Sequence, residues 1–63
     1  MTDLVPLLLS REVASLLRVS EATLSRWRDR SVGPVWLNLN GMPRYRAEDV
    51  RMWSEERILG ERH

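Results

Sequence analysis

Residues 10–29 read SREVASLLRVSEATLSRWRD, two helical patterns separated by only three residues, RVS. Helices joined by so short a corner cannot fold independently. They must cross and share one apolar seam. Ser10 is placed to cap a first helix over 11–17, with Val13, Leu16 and Leu17 on one face. Ser20 is placed to cap a second over 21–30, with Leu24 and Trp27 inward. Glu12 and Glu21 fall in first turns, where the helix dipole favours anions. Ala14 is small enough to let the two helices approach closely. The seam of Val13, Leu17, Val19, Leu24 and Trp27 sets the second helix at a steep angle to the first. Ser20, Glu21, Ala22, Ser25, Arg26, Asp29 and Arg30 are then left on its free face.

The next segment, SVGP (31–34), stops the helix: Gly33 permits positive φ and Pro34 pushes its predecessor out of helical space. VWLNL alternates as a strand does, with Val35, Leu37 and Leu39 expected on one side and Trp36 and Asn38 on the other. Asn40-Gly41 is a strong hairpin turn pair, and RYR (44–46) returns as a second strand with Tyr45 inward. A lone two-stranded hairpin is marginal in water, so this wing, over 35–46, must lie against the helices. AEDVRMWSEERI reads as a third helix over 47–58, with Val50 and Trp53 inward, Met52 and Ile58 joining them less strictly, and Gly60 as the stop. The expected fold is one domain over 1–63, mainly α with a small β-hairpin.

With 63 residues and no cysteine, the domain has neither a large core nor disulfides to hold it. The one histidine is His63, so neither a metal site nor a cofactor is expected. An enzyme is not expected either: no glycine-rich phosphate loop and no nucleophile–base pair is present. LVPLLL (4–9) is too short to span a membrane, contains Pro6 and has no basic leader, so neither a membrane segment nor a signal peptide is expected. The absence of cysteine fits a cytoplasmic location.

Net charge is only +1, but the charge is segregated. Residues 11–46 carry seven arginines against Glu12, Glu21 and Asp29, a net of +4, whereas residues 47–63 carry a net of −2. A basic body of this kind is an electrostatic footprint for an anionic partner. Every basic residue is arginine, whose planar fork suits phosphate and guanine.

The whole pattern resembles a known family. SREVASLLRVSEATLSRWRD is similar to the helix-turn-helix motif, and VGPVWLNLNGMPRYRAEDVRMW extends the match. Together they resemble the small winged helix-turn-helix proteins of the MerR, AlpA and phage excisionase group, over residues 8–54. One departure is Arg18, at a turn position often filled by glycine. The resemblance implies a recognition helix in the major groove of double-stranded DNA and a wing in the adjacent minor groove. It assigns Arg26 to a base edge, with guanine its natural partner, and sets Ala22 and Ser25 beside it. Ser20 and Thr23 admit two roles, helix cap or phosphate contact. Arg28 and Arg30 flank the helix and meet phosphates, although Arg28 can equally pair with nearby acids. In the wing, Asn40, Gly41 and Arg44 reach the minor groove, and Arg46 either joins them or pairs with Glu48 or Asp49. Arg11 and Arg18 are surface charges or phosphate clamps, and Trp36 covers the third helix or forms an interface.

The resemblance further implies an excisionase: a factor that binds repeated sites cooperatively, bends DNA and directs an integrase toward excision of a phage or mobile element in its bacterial host. A small AlpA- or MerR-like transcription regulator is the alternative.

Overall fold

The computed structural model describes residues 7–60, with side chains from 7 to 57. Three helices and a three-stranded antiparallel sheet make a mainly α fold in the order β1 (Leu7–Leu9), α1 (Ser10–Leu17), α2 (Glu21–Asp29), β2 (Leu37–Leu39), β3 (Met42–Arg46), α3 (Ala47–Gly60). The core takes one or two residues from each helix and from the middle strand: Val13 and Ala14, Leu24, Tyr45 and Val50. Leu8, Leu17, Val19, Trp27 and Trp36 pack around it.

The corner between α1 and α2 is closed by backbone hydrogen bonds. The N–H of Val19 donates to the carbonyl of Ala14 (3.0 Å) and that of Arg18 to Ser15 (3.2 Å). This Schellman closure needs its αL residue at Arg18, which sits at φ 60°, ψ 43°. A non-glycine residue there costs about 1 kcal/mol, and the chain tolerates it. The end of α2 repeats the device with Ser31 at φ 58°. There Val32 N–H donates to Trp27 (2.9 Å) and Ser31 N–H to Arg28 (3.2 Å).

Ser20 caps α2 as expected, its hydroxyl accepting from the N–H of Thr23 at 3.0 Å. Ser10 does not cap α1. It is the first helical residue, because β1 runs into the helix without a loop. Glu12 takes over at that end, its carboxylate accepting from the N–H of Leu9 at 2.7 Å. Leu16, expected inward, is 64% exposed. The buried stripe of α1 runs instead through Val13, Ala14 and Leu17, at i, i+1 and i+4.

The expected two-stranded wing is part of a larger sheet, ordered β1-β3-β2. Leu7, Leu8 and Leu9 pair with Arg46, Tyr45 and Arg44. β2 and β3 meet through a two-residue turn, with Leu39 opposite Met42. Asn40 (φ 52°) and Gly41 (φ 82°) both take positive φ, as a type I′ turn requires. Pro43 lies in the middle strand without costing a ladder bond. Next to this turn its nitrogen points away from β2, and β1 has already ended opposite Arg44.

The inward and outward faces of the first wing strand are the reverse of the expected ones. Val35 is 63% exposed and Leu39 is exposed, while Trp36 packs on the core. The register explains this. Leu37 pairs with Arg44, so residue 36 falls opposite Tyr45, on the face that Tyr45 turns to the core. α3 runs through Gly60 rather than ending at 58, and Met52 is exposed instead of joining the inward stripe. The placement expected for the Ile58 side chain lies outside the described residues. Trp53 packs against Trp27, ring centroids 5.3 Å apart and planes inclined at 47°, which fastens α3 to α2.

Candidate nucleic-acid interface

α2 turns Leu24 fully into the core and carries the charged and small residues outside. Glu21, Ala22, Arg26, Asp29 and Arg30 are exposed, and Ser20 is exposed at the cap. Thr23 and Ser25 are half-buried at the sides. One hydrogen-bonded row runs along this face. The Ser20 hydroxyl donates to Thr23 Oγ1 (3.0 Å), and Arg26 Nη2 donates to the same oxygen (3.2 Å). Arg26 therefore lies back along the helix toward its N-terminus, with its other donors open to solvent. Ser20 and Thr23 form the cap and at the same time hold Arg26.

Arg28 lies elsewhere. It is half-buried, and its Nη1 donates to Tyr45 Oη (2.9 Å) and Ser10 Oγ (3.1 Å). Its guanidinium also sits over the Trp36 ring, 5.7 Å from the centroid. No acid is among these partners. The residue ties α2 to the start of α1, to β3 and to Trp36.

In the wing, Asn40 and Gly41 form the exposed tip, and Asn38 Oδ1 accepts from the N–H of Gly41 (2.7 Å). Arg44 lies on the sheet face opposite Tyr45, with Nη1 donating to the Pro43 carbonyl (2.8 Å). Arg46 is on the same face, 3.7 Å from Asp49, so of its two candidate partners the structure selects Asp49. Both groups are partly solvated, and such a pair contributes little to stability.

The structure brings α2 and the wing together at one place. Glu21 at the start of α2, Leu9–Arg11 at the start of α1 and Met42–Arg44 of β3 line an open cleft of about 330 Å³. Sequence reasoning identified the α2 face and the wing tip but missed β1, the Arg28 tie and this cleft. The run LLL (7–9) carries no alternation that marks a strand, so β1 is revealed only by its pairing with β3. Arg30 is at the C-terminal cap of α2, away from the cleft residues in sequence and exposed. Among the described residues, no helix is long and apolar enough to cross a membrane. Comparisons with protein-family models, with curated proteins and with solved structures find no match.

Proposed function

We propose that this chain is a sequence-reading DNA-binding protein of winged helix-turn-helix form, with α2 as the recognition helix and the β2–β3 hairpin as the wing. The observation that carries this reading is the two-sidedness of α2. Leu24 is fully buried, while Ala22, Arg26 and Arg30 are exposed on a helix whose first turn adjoins the arginine-bearing strand β3. A helix presented in this way fits the major groove, which is about 12 Å wide. Arg26 reads a base edge, Ala22 contacts a thymine methyl, and Ser25 reaches a base or a phosphate. Ser20, Thr23 and Arg30 meet the backbone, and Asn40, Gly41 and Arg44 enter the minor groove or meet its phosphates. Arg46 is a weaker contributor because Asp49 offsets its charge.

Within DNA binding we favour an excisionase, acting in a bacterial cytoplasm beside an integrase. One short recognition helix reads too few base pairs to be specific alone. Several copies side by side overcome this, and the basic body and acidic α3 suit contact between neighbours. Gel shifts on a multi-site attachment fragment test the reading. Cooperative complexes with bent DNA are expected, whereas independent occupancy of unbent DNA favours a small transcription regulator.

The base-reading role has its own test. On a duplex selected from random sequence, Arg26→Ala should weaken binding by roughly 1–3 kcal/mol and relax the preference at one base pair. Unchanged affinity, with helicity intact by circular dichroism, removes Arg26 from the reading set.

A further inference from the structure

The cleft between α1 and the wing contains two arginines from separate elements, Arg11 and Arg44, and one carboxylate, Glu21. Neither arginine forms an ion pair among the described residues. Arg44 makes only a backbone contact through one nitrogen, to Pro43. Its remaining donors, and the whole fork of Arg11, have no protein acceptor there. Ser10 also lines the cleft. Its oxygen is occupied as an acceptor from Arg28, which leaves its own O–H to donate elsewhere. Two guanidiniums against one carboxylate leave a single excess positive charge, which one phosphodiester neutralises. Glu12 already offsets the field of the α1 start through its bond from the Leu9 N–H, so the attraction comes from the two guanidiniums of the lining.

We infer that this cleft seats one DNA backbone phosphate, held from two sides by Arg11 of α1 and Arg44 of β3. This rests on the DNA-binding reading above and deepens it. Arg11 becomes a binding residue, and the wing and the helix pair grip one phosphate together instead of two separate ones. The seat contributes affinity and register but no sequence preference, so any duplex reports on it.

The test is fluorescence anisotropy of a labelled mixed-sequence 20-base-pair duplex, titrated over a range of salt. The log–log slope against salt counts neutralised phosphates at about 0.9 each. If both arginines hold one phosphate, R11Q/R44Q should lower the slope by about one phosphate's worth. Arginines on separate phosphates would lower it by about two, which overturns the shared seat. R51Q, the same charge change on the exposed face of α3, should leave the slope unaltered. Should R44Q lose helicity, R11Q alone takes its place. Affinity should then fall several-fold while the slope, with Arg44 still on the shared phosphate, falls by less than one phosphate's worth; a full phosphate's worth or an unchanged affinity overturns the shared seat. An unchanged slope in folded R11Q/R44Q overturns the seat while the DNA-binding reading stands. If the wild-type chain does not bind the duplex even at low salt, both fall.

Discussion

Gly33→Ala is expected to destabilise the domain by about 2–4 kcal/mol. About 1 kcal/mol or more comes from placing a Cβ at positive φ, and the rest from overpacking. Gly33 has φ +85°, and a Cβ there would lie 2.8 Å from Trp27 Cε3 and 3.2 Å from Trp27 Cβ. Trp27 cannot easily retreat, because its ring packs at a tilt against Trp53. A domain of this size has only about 3–9 kcal/mol of total stability, so the loss is a large share of it. Thermal melting should show a fall of roughly 10–25 °C.

Gly41→Ala is the matched control. Gly41 has nearly the same φ, +82°, but a Cβ there would meet nothing within 4 Å. Only the backbone term remains, about 1 kcal/mol. The difference between the two melts isolates the contact with Trp27. Equal shifts would mean that Trp27 moves aside at no cost and does not fix the path from α2 to the wing.

That contrast shows what the sequence made legible. The type I′ turn at Asn40-Gly41 was readable, because a two-residue Asn-Gly loop has few alternatives. The corner was readable too, even with Arg18 in the αL position, because the spacing of Val13, Ala14, Leu17, Val19 and Leu24 leaves one way to bury them all. Tyr45 and Val50 followed from strand and helix periodicity. Local pattern could not show which face of a short strand turns inward. VWLNL alternates equally well in either sense, and only the register against Tyr45 chooses Trp36 over Val35. β1 was hidden for a similar reason. Three leucines carry no polar alternation, and their strand character comes from the free edge of β3.

The candidate site divides along the same line. The exposed face of α2 was legible because it is what Leu24 and Trp27 leave over. The cleft was not, because Arg11 and Arg44 are far apart in sequence and come to line one cleft only when β1, which leads into α1, pairs with β3. Arg28 was the least legible residue. Its place beside Arg26 and Arg30 suggested a phosphate contact or an acid partner. Its actual partners, two hydroxyls and an indole ring, come from three other segments.

Arg28 therefore carries the second large prediction. Arg28→Met keeps most of the apolar stem but removes the hydrogen bonds to Tyr45 and Ser10 and the contact with Trp36. Tyr45 is 1% exposed, so water cannot readily replace the lost donor. Hydrogen bonds to a charged group contribute about 1.5–3 kcal/mol each when well shielded, and partial solvation of Arg28 lowers that figure. The expected loss is about 2–4 kcal/mol of folding stability, read by chemical or thermal denaturation. Tyr45→Phe removes one acceptor and should cost less. In the double variant the two losses should fall short of additivity by about 1 kcal/mol, because each removes the same bond. A phosphate role makes the opposite forecast: unchanged melting and a salt slope of DNA binding lowered by about one phosphate's worth. A tie that holds four segments together and a contact that neutralises a phosphate place different demands on the same guanidinium. With Nη1 committed to two internal oxygens, the fold has the prior claim on Arg28, and under the proposed DNA-binding reading contact from α2 is assigned to Arg26 and its exposed neighbours.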